Sequence, residues 1–227
     1  MHYPERYLVT AALPYANGPL HIGHLAGAYI PSDIYVRFQR MMGKDVVYIC
    51  GSDENGAAIT LRALKEGKKP KEIVDEYDAS FRKSFKGMGI SFDMFHRTSD
   101  SLHHETAKEF FKTLYDQGEF KEEVSEQYYD DEAKQFLADR YIKGTCPKCE
   151  STDQYGDNCE VCSATYDATE LINPISVLSK TTPEIRDTEH LFFRLSTLKD
   201  SIHEWILNSS VQSQVINKLS EWLDGDL

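Results

Sequence analysis

The sequence predicts an α/β fold: a parallel sheet, followed by a smaller metal-bearing module and C-terminal helices. Three observations carry this. Two short apolar, β-branched runs, Tyr7 to Ala12 and Asp45 to Gly51, flank a helical stretch of about 20 residues, the pattern of a right-handed crossover between parallel strands. Asn17-Gly18-Pro19 interrupts the chain after the first run, and His21 and His24 follow three residues apart. Downstream, two Cys-x-x-Cys pairs stand nine residues from one another.

Each element has a local reason. Gly18 permits φ > 0 and Pro19 suits the start of a helix, so a helix is expected from about Leu20 toward Arg40, closed by Gly43. Pro31 falls inside it and removes one backbone bond, which predicts a kink or a fresh start capped by Ser32 or Asp33. Gly56 to Glu66 reads as the next helix. Pro70 to Met88 follows, with Ile73, Tyr77, Phe81, Phe85 and Met88 as its buried stripe. A further helix, His103 to Gln117, is capped by Asp100 or Ser101 and expected to bury Leu102, Thr106, Phe110 and Leu114. Beyond Gly118 the character changes. Phe120 to Val124, Gln127 to Tyr129 and Arg140 to Lys143 read as short strands with acidic turns between them. After Ser196 the apolar positions Leu198, Ile202, Trp205 and Ile206, then Val211, Val215, Leu219, Trp222 and Leu223, read as one or two amphipathic helices. The division expected is therefore 1–117 and 118–227, the second part holding a metal knuckle at about 143–166 and a helical end at about 196–224.

Bulk composition bounds the function. The chain has 227 residues, 41% hydrophobic and 27% charged, enough to bury a core. It contains no apolar run of membrane-spanning length, and Met1 to Arg6 lacks a hydrophobic signal core, so a soluble, cytoplasmic protein is expected. A net charge of -12 argues against a surface that grips nucleic acid broadly, and no DNA partner is expected. The basic cluster Arg62, Lys65, Lys68, Lys69 and Lys71, with Arg82, Lys83 and Lys86, reads first as solvated helix faces, with an RNA contact as the alternative.

The first motif joins strand, turn and helix. Free backbone N–H groups and the positive helix end favour phosphate there, His21 and His24 share one face, and Gly23 adds no side chain to obstruct a nucleotide. Two structural histidines on a capped helix are the plainer reading. Asp53, at the end of the second strand, lies where open parallel sheets bind ligands, and is either a helix cap or a carboxylate facing that crevice. Glu54 reads as a neighbour without contact to substrate. His96 either borders the site or is structural.

Cys146, Cys149, Cys159 and Cys162 form two knuckles that offer four thiolates to one ion, with Lys143, Gly144, Gly156 and Asn158 supplying turns and bias. Two disulfides are the alternative, but without a secretory signal the thiols stay reduced. Four thiolates leave no open coordination position, so the Zn²⁺ would be structural. Cys50, at a strand end, reads as simple burial.

The string Ala12-Leu13-Pro14-Tyr15-Ala16-Asn17-Gly18, followed by His21-Ile22-Gly23-His24, resembles the HIGH signature of class I aminoacyl-tRNA synthetases in its methionyl-tRNA synthetase form. The segment from Lys143 to Cys162 is similar to the zinc knuckle in that family's connective insertion, an independent match. The resemblance covers nearly the whole chain. It implies a Rossmann-like catalytic half whose activity is methionyl-adenylate formation from L-methionine and ATP, with Mg²⁺, then transfer to the 3′ end of tRNA(Met). It further implies that His21 and His24 stabilise the ATP phosphates in the transition state. Tyr15, Asn17, Gly18 and Gly23 would join them in holding ATP, Ala12, Leu13 and Tyr15 would line the methionine pocket, and Asp53 would pair with the methionine ammonium. The family's second signature, a Lys-Met-Ser-Lys-Ser-type loop, is absent, as are the later pocket residues and the anticodon-binding domain. The chain therefore reads as the first portion of a longer enzyme, inactive or nearly so alone. Two alternatives stay open: a non-catalytic zinc-ribbon binding module on a nucleotide-binding fold, and a related synthetase for leucine, isoleucine or valine.

Overall fold

A computed structural model describes residues 5–225. The segment 1–4, part of the stretch read as lacking a signal core, and the chain end 226–227 lie outside the described residues. Strand β1 (Arg6–Thr10) pairs in parallel with β2 (Asp45–Ser52), and β2 in parallel with β3 (Met94–Arg97). The expected crossover is present. Its helical arm begins two residues later than expected, at α1 (Ile22–His24), widens into a π-helical turn at Leu25–Tyr29 and continues as α2 (Ile30–Met41), closed by Gly43 at φ 73°.

The π-turn is the answer to Pro31. Proline removes one N–H and crowds the preceding turn, and widening that turn accommodates the ring. Ser32 and Asp33 do not act as caps. The Ser32 hydroxyl donates to the Ala28 carbonyl at 2.7 Å, while buried Asp33 accepts from Arg37 at 2.6 Å and from the Ser91 amide at 2.7 Å, tying the helix to the approach to β3. Gly18 likewise departs from expectation, since its φ is not positive and the turn forms without it.

Helices α3 (Ala57–Glu66) and α4 (Pro70–Gly87) pack on the sheet, and α4 buries Ile73, Tyr77, Phe81 and Phe85 as its periodicity requires, whereas Met88 lies beyond the helix and is half exposed. Helix α5 (Ser101–Asp116) is capped by Asp100, which accepts from the Leu102 amide at 2.9 Å. Its apolar stripe is not core. None of its residues is buried, with Leu102 at 63% and Phe110 at 69% exposure, because no described element lies over that face.

Past Gly118, at φ 78°, two small sheets form. The two strands expected between Phe120 and Tyr129 are one, β4 (Phe120–Asp130), paired with β5 (Gln135–Phe136) and along its length with a late strand, given below. The segment expected as a strand from Arg140 starts as a 3₁₀ turn, Asp139–Tyr141, before β6 (Ile142–Thr145). Strand β6 lies between β7 (Gln154–Tyr155) and β8 (Ile172–Ser176). The late partner of β4 is β9 (Glu184–Phe193), after which α6 (Lys199–Leu207) and α7 (Ser213–Asp224) close the chain. Of their stripes, Ile206 and Leu223 are buried while Trp205 and Trp222 stay exposed.

Candidate substrate site and metal centre

The signature loop is held by backbone pairing to the end of β2. The Asp53 amide donates to the Pro14 carbonyl at 2.9 Å and the Ala16 amide donates to the Asp53 carbonyl at 2.8 Å, a parallel bridge between Tyr15 and Asp53. The first strand and the second thus continue their pairing past the sheet, which brings the motif beside Asp53 at the carboxyl edge. Buried Tyr29 donates its hydroxyl to the Ala12 carbonyl at 3.0 Å and anchors the loop from below.

His21 and His24 are both exposed, and their rings stack with centroids 3.8 Å apart. Each Nδ1 is an acceptor: the Gly23 amide donates to His21 at 3.1 Å and the His21 amide donates to His24 at 3.3 Å. With Nδ1 accepting, the proton of each neutral ring sits on Nε2, so both histidines present an N–H outward. Gly23 makes the fold-back possible, because a Cβ there would lie 3.0 Å from His21 Nδ1.

Tyr15 lies against the start of α3. Burial raises its phenol's pKa, opposed by bonds from the Ile59 and Ala58 amides, so its oxygen occupies a helix N-terminus. Gly56, at φ 128°, leaves room for the ring, since a Cβ would stand 2.5 Å from the Tyr15 hydroxyl. The N-cap of α3 is Gly56 without a side-chain bond, so Asp53 does not cap that helix. Among the described residues the Asp53 side chain has no ion-pair partner, although it is half-buried. Leu13 lines an open crevice of about 210 Å³ with Cys50, His96 and His103, and Ala12 is exposed beside it. Tyr15, Asp53 and the two histidines do not line that crevice. Cys50 is only half-buried, with its thiol pushed up to about 11 by burial, and His96 is exposed at the crevice rim.

Two contributors escaped the sequence reading. Arg62 donates to the Asn17 carbonyl at 2.5 Å while its guanidinium lies 4.9 Å from the Tyr77 ring centroid, so this member of the basic cluster holds the signature turn. Glu54 is no idle neighbour: its buried carboxylate accepts from Ser52, Arg97 and Ser99. The spacing that would have revealed them, six residues after Gly56 for Arg62, carries no signal without the fold.

The four knuckle sulfurs all lie within 4.8 Å of one another. Cys149 and Cys159 are 3.6 Å apart and Cys146 and Cys162 3.9 Å. These are too long for a disulfide and close to the ~3.8 Å edge of a thiolate tetrahedron built on Zn–S bonds of about 2.3 Å. The knuckles repeat one design. In each, the first cysteine's amide bonds a carbonyl five residues on (Ser151, Ala164), and backbone amides of Lys148, Val161 and Cys162 donate to Cys146 or Cys159 sulfur at 3.4 Å. Turn residues Glu150 and Ser163 take positive φ, so the tight turns do not come from Gly144 or Gly156, which instead allow close packing against Ile172 and Asp139. Hydrogen bonding with the Ser151 side chain and backbone holds the Cys149 thiol down to about 6. Cys162, despite the Ala164 amide, is pushed up to about 12 with Cys149 beside it. A divalent cation removes that conflict, and the donor set fits one.

A family model described as tRNA synthetases class I (M) matches residues 7–227. The chain belongs to this family. The Methionine--tRNA ligase of Flavobacterium johnsoniae is 53% identical over 227 residues, covering 99% of this chain and 32% of that protein. That of Flavobacterium psychrophilum is 54% identical, with 99% and 33% covered, and that of Porphyromonas gingivalis strain ATCC 33277 is 52% identical over 222 residues, with 97% and 33% covered. The chain spans about a third of the length of the curated relatives it matches. Among solved structures, Mycobacterium tuberculosis methionyl-tRNA synthetase bound by methionyl-adenylate superposes with a TM-score of 0.69 at 23% identity, covering 98% of this chain and 39% of that one. The LeuRS–tRNA–LeuAMS complex from Agrobacterium radiobacter K84 gives 0.66 at 20% identity, covering 95% and 24%. These likenesses establish a class I synthetase fold. Among the described residues, no helix is long and apolar enough to cross a membrane.

Proposed function

We propose that this chain is the methionine- and ATP-binding part of a cytoplasmic methionyl-tRNA synthetase, residues 1–117 forming the nucleotide-binding half and 118–227 the connective insertion. The observation that carries the reading is the backbone pairing of Tyr15 with Asp53, which sets two outward-facing histidine donors and an unpaired carboxylate on adjoining segments of one sheet edge. In adenylation the methionine carboxylate attacks the α-phosphorus of ATP and pyrophosphate departs. His21 and His24 donate Nε2–H to phosphate oxygens as charge builds, an effect confined to the transition state. Asn17, Gly18 and Gly23 give the nucleotide backbone access. Asp53 holds the substrate ammonium, and Ala12, Leu13 and Tyr15 form the near wall of the thioether pocket.

Mg²⁺ would accompany ATP and neutralise its phosphates. Zn²⁺ on Cys146, Cys149, Cys159 and Cys162 would be structural. The aminoacyl acceptor would be tRNA(Met). The test is pyrophosphate exchange by the full-length enzyme with methionine, leucine, isoleucine and valine as substrates, for the native protein and for Asp53→Asn. Methionine-specific exchange that falls by about 10²-fold or more in Asp53→Asn, with zinc content unchanged, is the expected result. Near-normal exchange in the variant would assign the ammonium elsewhere.

A further inference from the structure

The chain from Ser52 to Glu54 is extended, so its side chains alternate: Ser52 and Glu54 face one side and Asp53 the other. On the inner side the Glu54 carboxylate is fully engaged. Arg97 Nε donates to both Glu54 oxygens, at 2.8 and 2.9 Å, and the Ser52 hydroxyl donates to Oε1 at 2.7 Å. The Ser99 hydroxyl donates to Oε2. Arg97 Nη2 also reaches Asp75 at 2.8 Å, and the Glu54 amide donates to Thr98 Oγ1 at 2.8 Å. The Glu54 side chain is completely buried. The carboxylate thus accepts from one guanidinium and two hydroxyls.

We propose that the ion pair between buried Glu54 and half-buried Arg97 is the positioning device of the amino-acid site, locking the end of β2 to β3 so that Asp53 presents its carboxylate to the substrate ammonium. The inference rests on the reading of Asp53 above. Glu54 and Arg97 touch no substrate; they act through the three-residue segment that carries Asp53. The loop side of that segment is clamped to Pro14 and Ala16 by backbone bonds alone, which fix its register but leave its tilt to whatever holds Ser52 and Glu54. Losing Coulombic complementarity there leaves a half-buried guanidinium without its partner, and the strand end must shift to rehydrate it.

Glu54→Gln keeps the shape but turns one acceptor into an NH₂ that opposes the Arg97 and serine donors. In the full-length enzyme, equilibrium binding of methionine should weaken by about tenfold or more, while ATP binding and zinc content stay within about twofold. Binding of the deaminated analogue 4-(methylthio)butanoate, which has no ammonium, should not change. Ser99→Ala removes one bond and should weaken methionine binding by a smaller factor of the same sign. Asp75→Asn touches Arg97 but not the strand end and should leave methionine binding unchanged. Equal losses for methionine and the deaminated analogue would reduce the pair to a general fold contact and overturn the proposal. So would unchanged methionine binding in a folded Glu54→Gln protein or, if that variant does not fold, in Ser99→Ala. If Asp53→Asn itself leaves methionine binding intact, the ammonium assignment fails; if Asp53→Asn weakens it and Glu54→Gln does not, the positioning proposal alone fails.

Discussion

The parallel-sheet half and the knuckle module solve the same problem with different means. The first buries a continuous aromatic and aliphatic cluster in which Tyr48, Phe81, Ile59 and Ile73 are essentially inaccessible, and its parallel strands need no staple. The core of the second is small, and two of its members, Cys146 and Cys159, are candidate metal ligands. Hydrophobic burial scales with the surface removed from water, so a module with so few buried side chains must gain stability from another source. The comparison predicts that the halves fail under different insults.

The largest difference should follow metal removal. Structural zinc in small domains is worth on the order of 10–16 kcal/mol at neutral pH, more than this core supplies. Chelation, or Cys146→Ser, should strip amide hydrogen-exchange protection from β6, β7 and β8 while β1 to β3 keep theirs, with about one zinc per chain lost. Unaltered protection after complete zinc removal would mean that packing alone holds the module.

Acid should separate the halves next. Asp130 is inaccessible, accepts from the Glu132 and Ala133 amides at 3.0 and 2.9 Å and from the Ser176 hydroxyl, and despite burial its pKa is lowered to about 2. A depressed folded pKa stabilises above the unfolded value near 3.9 and loses that contribution as pH falls toward about 2, a term of roughly 2–3 kcal/mol. Asp130→Asn should therefore lower the module's stability at pH 7 by about 2 kcal/mol and flatten its loss between pH 4 and 2. Urea titrations at several pH values, read by a probe in the module, check this; an acid transition identical to the native one would place the sensitivity elsewhere.

What could be read from the sequence follows from range. The signature loop, the crossover and the knuckles are written in contiguous residues, so turn chemistry and spacing suffice. Strand β9 carries no local signal because none of its residues is buried and its apolar and polar residues do not alternate: Glu126 opposes Asp187 and Val124 opposes Glu189. Strand β3 is four residues long, too short to carry a period. The roles of Glu54 and Arg62 depend on partners 43 and 45 residues away, and no local pattern encodes such a meeting. The periodicity of α5 is amphipathic, but an apolar stripe says which face wants cover and not which residues provide it.

Within the parallel-sheet half, Arg62 offers a finer test. Arg62→Met keeps a side chain over Tyr77 but abandons the Asn17 carbonyl, so the turn before His21 gains freedom. Pyrophosphate exchange in the full-length enzyme should fall about tenfold through kcat, with a stability change below about 1 kcal/mol. A drop in stability with kcat preserved would return Arg62 to a packing role.

The smallest expected effect sharpens the contrast inside one half. Phe81 and Phe110 are both aromatic and both sit on an amphipathic stripe, yet Phe81 is inaccessible while Phe110 is 69% exposed. Removing Phe81 leaves a cavity and forfeits transfer energy, so Phe81→Ala should cost about 3–5 kcal/mol. Phe110→Ser in the same 227-residue chain replaces surface that already faces water and should alter stability by less than about 0.5 kcal/mol, as exposed substitutions do. Denaturant midpoints with unchanged slopes decide it. A loss of 2 kcal/mol or more at Phe110 would mean that the α5 face is covered in solution, and the buried stripe expected from its periodicity would then be the correct account.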